Sequence, residues 1–105
     1  MIKTRILAGI MAIGLAATPA AARSLDDIIA DGTIRIGVNP NFPPMSAYGD
    51  TNELEGFDVD IGRKLAEALG VEAEFVPTES QQRVPFLVSD RIDISMGALT
   101  RTVAR

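Results

Sequence analysis

Three short stretches with an apolar residue at every second position, separated by two helical patterns, limit what this chain can fold into. The stretches run over Thr33–Val38, Val71–Val76 and Asp90–Met96, and each has the length and composition of a β-strand. Helical patterns lie between them, over Phe57–Gly70 and Gln81–Ser89. Strands that alternate with helices over such short links predict βαβ units and a parallel sheet. We therefore predict an α/β fold, with the first strand in the centre of the sheet.

The longer helical pattern, Phe57–Gly70, is the clearest single element. Four apolar side chains recur along it every four residues: Phe57, Ile61, Leu65 and Leu69. This spacing predicts an amphipathic helix whose apolar stripe packs against the sheet. Asp58 and Asp60 fall in the first turn, where the helix dipole stabilises carboxylates. Side chains two residues apart on a helix point in different directions, which disfavours a catalytic carboxylate pair here.

Shorter elements are predicted ahead of that helix. The pattern of Ser24–Gly32 indicates a short helix with Ser24 as its N-cap and Gly32 as its stop. Prolines at three of five positions predict that Asn39–Met45 is an extended loop without regular structure. Ser46–Gly56 follows, with the turn residues of a hairpin.

The first 22 residues have the pattern of a secretory signal peptide. A basic start precedes an apolar run, and Thr18–Ala22 ends in small residues with an Ala-x-Ala pattern. We expect cleavage after Ala22, which makes residues 23–105 the mature segment. A membrane anchor is the alternative, but the apolar run is shorter than the ~20 residues that span a bilayer.

Charge and composition exclude several classes of function. The segment 23–105 carries all 14 acidic residues and 8 of the 10 basic ones, a formal net charge of −6. Such an acidic domain is a poor partner for nucleic acid. The chain contains neither Cys nor His, so it lacks the residues of a disulfide, a cysteine-bound metal and a Ser-His-Asp triad. We predict no metal and no cofactor.

Three loops leave the carboxyl ends of the predicted strands, where open parallel sheets bind their ligands. They span Asn39–Pro44, Pro77–Gln82 and Gly97–Arg105, and we expect them to converge on one edge.

These loops and the helix that follows the second one carry candidate ligand contacts. Phe42 offers an apolar face to a ligand, or is a core aromatic beneath its loop. Gly97 permits close backbone approach, and Thr100 offers a hydroxyl and an N–H to a ligand or caps a following helix. Arg105 and Arg83 suit two-pronged contacts with a carboxylate, or lie on the solvated surface.

Five blocks of the sequence, in their order and spacing, resemble a known family. The blocks are Thr33–Val38, Asn39–Pro44, Glu55–Asp60 with its helix, Arg83–Leu87 and Asp93–Arg105. They resemble the first half of the extracellular solute-binding proteins of family 3, periplasmic receptors for polar amino acids that supply ABC importers. The resemblance covers Leu25–Arg105. Its specific motifs, in combination, are Gly-Phe-Asp-Val-Asp and the final Thr-x-x-x-x-Arg.

The resemblance implies a fold and a set of ligand contacts. The fold is the type II periplasmic-binding-protein fold, in which two α/β lobes close on a ligand about a hinge. Phe42 is implied to cover the ligand side chain. The backbone of Gly97 or Ala98, with Thr100, is implied to meet the α-amino and α-carboxylate groups, and Arg105 is implied to grip the carboxylate.

Two further residues complete the predicted set of ligand contacts. Asn39 stands where many relatives carry Asp, so it bears on contact with a charged ligand side chain. Arg83, with Asn39, points to a polar ligand. The binding site is thus predicted to contain seven residues: Asn39, Phe42, Arg83, Gly97, Ala98, Thr100 and Arg105.

We therefore predict the periplasmic receptor subunit of an ABC importer for a polar amino acid. Residues 23–105 are expected to form the first part of lobe 1 and to stop before the hinge and lobe 2, either as a fragment of a longer product or as the product of a truncated gene. The expected partners are a free amino acid and a membrane permease, with no nucleic acid. Two alternatives stay open: a periplasmic dehydratase similar to cyclohexadienyl dehydratase, and the sensing domain of a receptor kinase or lytic transglycosylase.

Overall fold

A computed structural model describes residues 22–97, 99–100 and 102–104. Its elements are α1 (Leu25–Asp31), β1 (Thr33–Val38), β2 (Asn41–Phe42), β3 (Ser46–Tyr48), β4 (Leu54–Glu55), α2 (Phe57–Leu69), β5 (Glu72–Pro77), α3 (Arg83–Val88) and β6 (Ile94–Met96). The predicted signal peptide up to residue 21, Ala98 and Arg105 lie outside the described residues. Within those described ranges, no helix has the length and apolarity needed to cross a bilayer.

The main sheet contains three parallel strands in the order β5-β1-β6. β1 pairs with β5 along its whole length, from Thr33 opposite Glu72 to Val38 opposite Pro77. Its last three residues pair with β6. The predicted α/β fold with a central first strand is therefore confirmed. β6 is shorter than predicted because the chain turns before it, where Asp90 adopts a φ of 61°.

A second, antiparallel sheet of order β2-β3-β4 lies between β1 and α2 in the chain. The pairing of β3 with β4 confirms the predicted hairpin. The prediction that Asn39–Met45 lacks regular structure is wrong in part, since Asn41 and Phe42 pair with Ala47 and Ser46. These two residues stand between the prolines and keep their backbone N–H groups, so they can join a strand.

The short helix α1 follows its sequence prediction. Ser24 is the N-cap, and its hydroxyl accepts a hydrogen bond of 3.2 Å from the backbone N–H of Asp27. Gly32 ends the helix with a left-handed φ of 81°, a conformation that favours glycine. Ile28 is the residue of this helix that enters the core.

The long helix α2 buries a different face from the predicted one. Most of the predicted stripe faces outwards: Phe57, Ile61 and Leu65 are 58%, 44% and 37% exposed. The buried face consists of Val59, Gly62 and Ala66, with Asp58 at its start. A Cβ at Gly62 would lie 2.7 Å from the ring of Phe75. The small residues therefore let α2 approach the sheet closely, and close approach decides which face is buried.

Candidate functional site

Three loops meet at the carboxyl edge of the parallel sheet. The side-chain amide of Asn39, after β1, lies 3.5 Å from the hydroxyl of Ser80, after β5. Arg83, at the start of α3, donates a hydrogen bond of 2.7 Å to the carbonyl oxygen of Gly97, after β6. A Cβ on Gly97 would lie 3.5 Å from the backbone nitrogen of Asn39. The described parts of the loops thus converge as predicted.

Asn39 holds the first of these loops in place. Its side-chain oxygen accepts a hydrogen bond of 2.9 Å from the N–H of Asn41, a turn that asparagine side chains commonly form. Its carbonyl oxygen accepts a hydrogen bond from the hydroxyl of Ser46, which is fully buried. These contacts tie the end of β1 to β3, so they set the position of the hairpin relative to the site.

Arg83 contacts two other loops through backbone oxygen atoms. Its Nε donates to the carbonyl of Ser80 at 3.1 Å, and its Nη1 donates to the carbonyl of Gly97 at 2.7 Å. The sequence predicts Arg83 as a ligand contact, and its two side-chain hydrogen bonds in the described residues go to the protein backbone. The sequence carries no signal for this pairing, since Arg83 and Gly97 are 14 residues apart.

Gly97 adopts a backbone angle that explains why glycine stands there. Its φ is +129°, a region that residues with a side chain rarely adopt. Space is not the limitation, because the nearest atom to an added Cβ would be 3.5 Å away. The chain therefore leaves β6 in a direction that only glycine takes readily.

The structure describes two of the remaining predicted ligand contacts, Phe42 and Thr100. Phe42 is 43% exposed, so it is not the core aromatic that was the alternative in the sequence. Thr100 is exposed. Ala98 and Arg105 lie outside the described residues, and their predicted contacts stay predictions.

Asp58 is a residue at this edge that sequence reasoning did not assign to the site. It lies in the first turn of α2 and is only 8% exposed. Its Oδ2 atom would lie 3.9 Å from a Cβ on Gly97, and it has no hydrogen-bond partner among the described residues. Burial raises the pKa of this carboxyl group above its ordinary value. Its position in the first turn was the available signal, but its burial depends on contacts that form only in the folded chain.

The described residues show no arrangement suited to a metal ion. Among them, no three His, Cys, Asp or Glu side chains gather as metal ligands would. An open cleft of about 440 Å³ lies between α2 and β5. A second, of about 320 Å³, lies between the β3–β4 hairpin, α2 and the end of β5, and both are lined by Arg63 and Phe75. Neither cleft is lined by Asn39, Arg83 or Gly97. The convergence of the three loops defines the candidate site.

Comparison with known proteins identifies the family. The model of the bacterial extracellular solute-binding proteins, family 3, matches residues 34–105, and the chain belongs to this family. The chain is similar to the L-cystine-binding protein TcyJ of Escherichia coli (strain K12), with 34% identity over 99 residues. That match covers 90% of this chain and 37% of TcyJ.

An enzyme and a solved domain are also similar to this chain. Cyclohexadienyl dehydratase of Pseudomonas aeruginosa is 30% identical over 99 residues, which cover 94% of this chain and 37% of the enzyme. The arginine-bound form of domain 1 from TmArgBP matches with a TM-score of 0.74 and 30% identity, covering 78% of this chain and 65% of that domain. The fold is that of a type II periplasmic-binding-protein domain. The chain spans little more than a third of these curated relatives' length.

Proposed function

We propose that the protein carrying this chain is the receptor subunit of an ABC importer for a polar amino acid. The convergence of Asn39, Arg83 and Gly97 at one sheet edge, in a chain of the solute-binding family, carries this proposal. The names of TcyJ and of the arginine-bound domain support a free amino acid as the ligand. In this proposal residues 23–105 belong to lobe 1, and a membrane permease receives the ligand.

The proposed site binds the common part of an amino acid through the chain after β6. Backbone groups at Gly97 or Ala98, with Thr100, contact the α-amino and α-carboxylate groups, and Arg105 forms a two-pronged contact with the carboxylate. Phe42 covers the ligand side chain, and its 43% exposure supports this role.

A screen of the protein's thermal stability tests the ligand class. The full-length gene product is melted with each of the twenty amino acids and with L-cystine. A ligand at about 100 times its Kd stabilises the folded state by ~2.7 kcal/mol, which raises Tm by several degrees. We expect such a shift for one polar amino acid or a few related ones. No shift with any of them contradicts the proposal.

The largest single loss of binding is expected from Arg105→Ala. Removal of one partner from a desolvated ion pair costs about 3–5 kcal/mol, so binding should become undetectable by calorimetry. Arg91→Ala is the matched control, because the Arg91 guanidinium lies over the ring of Phe86, 5.0 Å from its centroid. Wild-type affinity in Arg105→Ala removes Arg105 from the site.

We propose that the protein is exported and cleaved after Ala22. Arg23, which follows that point, already takes part in the fold, since its Nε donates a hydrogen bond of 2.9 Å to Asp93. Mass spectrometry of the secreted product is expected to give Arg23 as its first residue. A product that retains residues 1–22 contradicts this.

A dehydratase is the second candidate, because cyclohexadienyl dehydratase is among the similar proteins. A receptor returns its ligand unchanged, whereas a dehydratase releases water from it. The full-length protein is incubated with each ligand found in the screen and with a hydroxycyclohexadienyl acid, and the products are identified by mass spectrometry. Loss of water from any of these compounds, with or without carbon dioxide, would establish the enzyme.

A further inference from the structure

Arg83 stands in the middle of a series of polar contacts that crosses all three site loops. Asn39 reaches Ser80 through the side-chain contact of 3.5 Å. Arg83 donates to the carbonyl of Ser80 and, 14 residues further along the chain, to the carbonyl of Gly97. One half-buried guanidinium thus joins the loop after β5 to the end of β6.

We propose that Arg83 is a positioning residue, which fixes the Gly97 peptide so that the following backbone is ready to bind the ligand. This inference rests on the proposed function, because it assigns Arg83 a role within the same amino-acid site. It places Arg83 one step away from the ligand, in contact with the residue that leads into the site.

The geometry of the peptide group explains how one contact has this effect. A peptide unit is planar, so a donor that holds the Gly97 oxygen fixes the orientation of the whole unit. The backbone of Gly97 needs that support because a glycine has no side chain to restrict its φ and ψ, and its φ here is +129°. Hydrogen bonds from a charged donor are stronger than those between neutral groups.

The chemistry of arginine suits this role better than that of lysine. The guanidinium presents several N–H groups in a fixed plane, whereas a lysine ammonium is a single flexible point charge. Arg83 uses separate nitrogen atoms, Nε and Nη1, for its two carbonyl partners. Lysine at this position would present its donors on one rotatable nitrogen atom without a fixed plane, so it would join the two loops less firmly.

The test uses the full-length protein with Arg83→Gln and Arg83→Lys. Arg91→Gln is the matched control, since Arg91 lies over the Phe86 ring, away from the series of loop contacts. The first measurement is the affinity for L-cystine, L-arginine and L-glutamate, together with any amino acid found in the screen. The second is the rate of backbone hydrogen exchange around Gly97 in the ligand-free protein, which needs no ligand at all.

Loss of the charged contacts should weaken binding roughly 10- to 100-fold in Arg83→Gln, and less in Arg83→Lys. The loss should be similar for every amino acid that the wild type binds, because the altered part is the backbone. Exchange around Gly97 should become faster in Arg83→Gln and stay unchanged in Arg91→Gln. If Arg83→Gln does not fold, Arg83→Lys supplies both measurements.

Two results would overturn the inference. If Arg83→Gln leaves both the affinity and the rate of hydrogen exchange unchanged, Arg83 does not position the Gly97 peptide. A loss confined to ligands with an acidic side chain, with unchanged exchange, would make Arg83 a direct ligand contact. If the wild type binds no amino acid, the proposed function fails, and faster exchange around Gly97 would still establish the contact between Arg83 and the Gly97 peptide.

Discussion

The two ends of strand β6 place carboxylates in opposite surroundings. Asp93 precedes the strand, and its side chain is fully buried between two arginines. Asp58 lies against the other end, beside Gly97, and is buried without a hydrogen bond to its Oδ2 from the described residues. A strand of three residues thus separates a paired carboxylate from an unpaired one.

The paired end is built for stability. Arg23 and Arg35 both donate to the Asp93 carboxylate, and the backbone N–H of Arg35 adds a third donor at 2.8 Å. Burial alone raises the pKa of Asp93, but the hydrogen bonds from the two arginines outweigh it and hold that pKa well below its usual range. This end joins Arg23, which precedes α1 and its N-cap, to the strands β1 and β6.

The opposite end carries the features of a site. Gly97 has a φ that few residues adopt. One carboxylate oxygen of Asp58 has no hydrogen-bond partner among the described residues, and Arg83 donates its hydrogen bonds to backbone carbonyl oxygens. Unpaired buried polar groups reduce stability, and proteins retain them mostly where they serve a function. The contrast teaches that this small sheet has its stabilising contacts at one end of β6 and the features of the proposed site at the other.

The largest expected effect is on the paired end, in Asp93→Ala. Loss of this carboxylate leaves two partly buried arginines without their shared partner, which should cost about 3 kcal/mol of unfolding free energy. That value is at the lower end for such pairs, because Arg23 and Arg35 keep ion pairs with Asp31 and Asp90. Urea denaturation of the full-length protein measures the loss.

Asp60→Ala is the control for that measurement. Asp60 is exposed and lies 3.7 Å from Arg63, so its removal should change stability by less than about 0.5 kcal/mol. If Asp93→Ala and Asp60→Ala lose equal free energies of unfolding, the buried network stabilises the protein no more than a surface ion pair does, and the contrast between the two ends of β6 is wrong.

Much of the fold could be predicted from the sequence because its signals are local. The N-cap Ser24, the stop at Gly32 and the apolar stretch Thr33–Val38 act within a few residues, and each forms the element predicted. The face of α2 could not be predicted in the same way. It depends on the fit between Gly62 and the ring of Phe75, which meet only in the folded chain.

The candidate site could likewise be predicted where its signals are local, and not where it depends on long-range packing. The meeting of the loops follows from the parallel sheet, so the sequence places Asn39 and Gly97 at one edge. The partners of Arg83 and the burial of Asp58 are long-range results of packing, and neither leaves a mark on the local sequence. The roles of Ala98, Thr100 and Arg105 still come from resemblance, and the binding measurements above test them.

A smaller effect on stability is expected at the site end, in Gly97→Ala. A side chain at a φ of +129° strains the backbone, and the cost should be roughly 1–2 kcal/mol. Because the strain shifts the chain that leads into the site, affinity for the amino acid should fall as well. Denaturation and calorimetry on the same variant measure both effects.

Ser95→Ala, in the same strand, is the control for Gly97→Ala. The Ser95 hydroxyl is buried with no partner among the described residues, so its removal should be neutral or slightly stabilising. An affinity loss equal to that of Gly97→Ala would show that any change in β6 disturbs the site. The two ends of β6 would then not differ in their effect on ligand binding.

The smallest expected effect is a gain, in Asp58→Asn. Burial raises the pKa of Asp58 in the folded state, so its stability contribution is greatest below the unfolded pKa of about 3.9 and is lost as pH rises through the folded value. The neutral amide avoids that cost, and Asp58→Asn should stabilise the ligand-free protein by about 1 kcal/mol at pH 7. At pH 3.5, where the wild-type carboxyl is protonated in the folded protein, the gain should disappear.

Asp93→Asn should show the opposite dependence on pH. The pKa of Asp93 is held low, so its contribution is present above about pH 4 and declines as the pH falls towards the folded value. On acidification, the free energy of unfolding of Asp93→Asn should therefore rise towards that of the wild type. The free energy of unfolding of Asp58→Asn should fall towards that of the wild type. Urea denaturation of both variants from pH 3.5 to pH 7 measures these opposite slopes. If Asp58→Asn is destabilising at pH 7, favourable interactions of the carboxylate, including that with the helix dipole, outweigh the cost of its burial, and the two ends of β6 are alike.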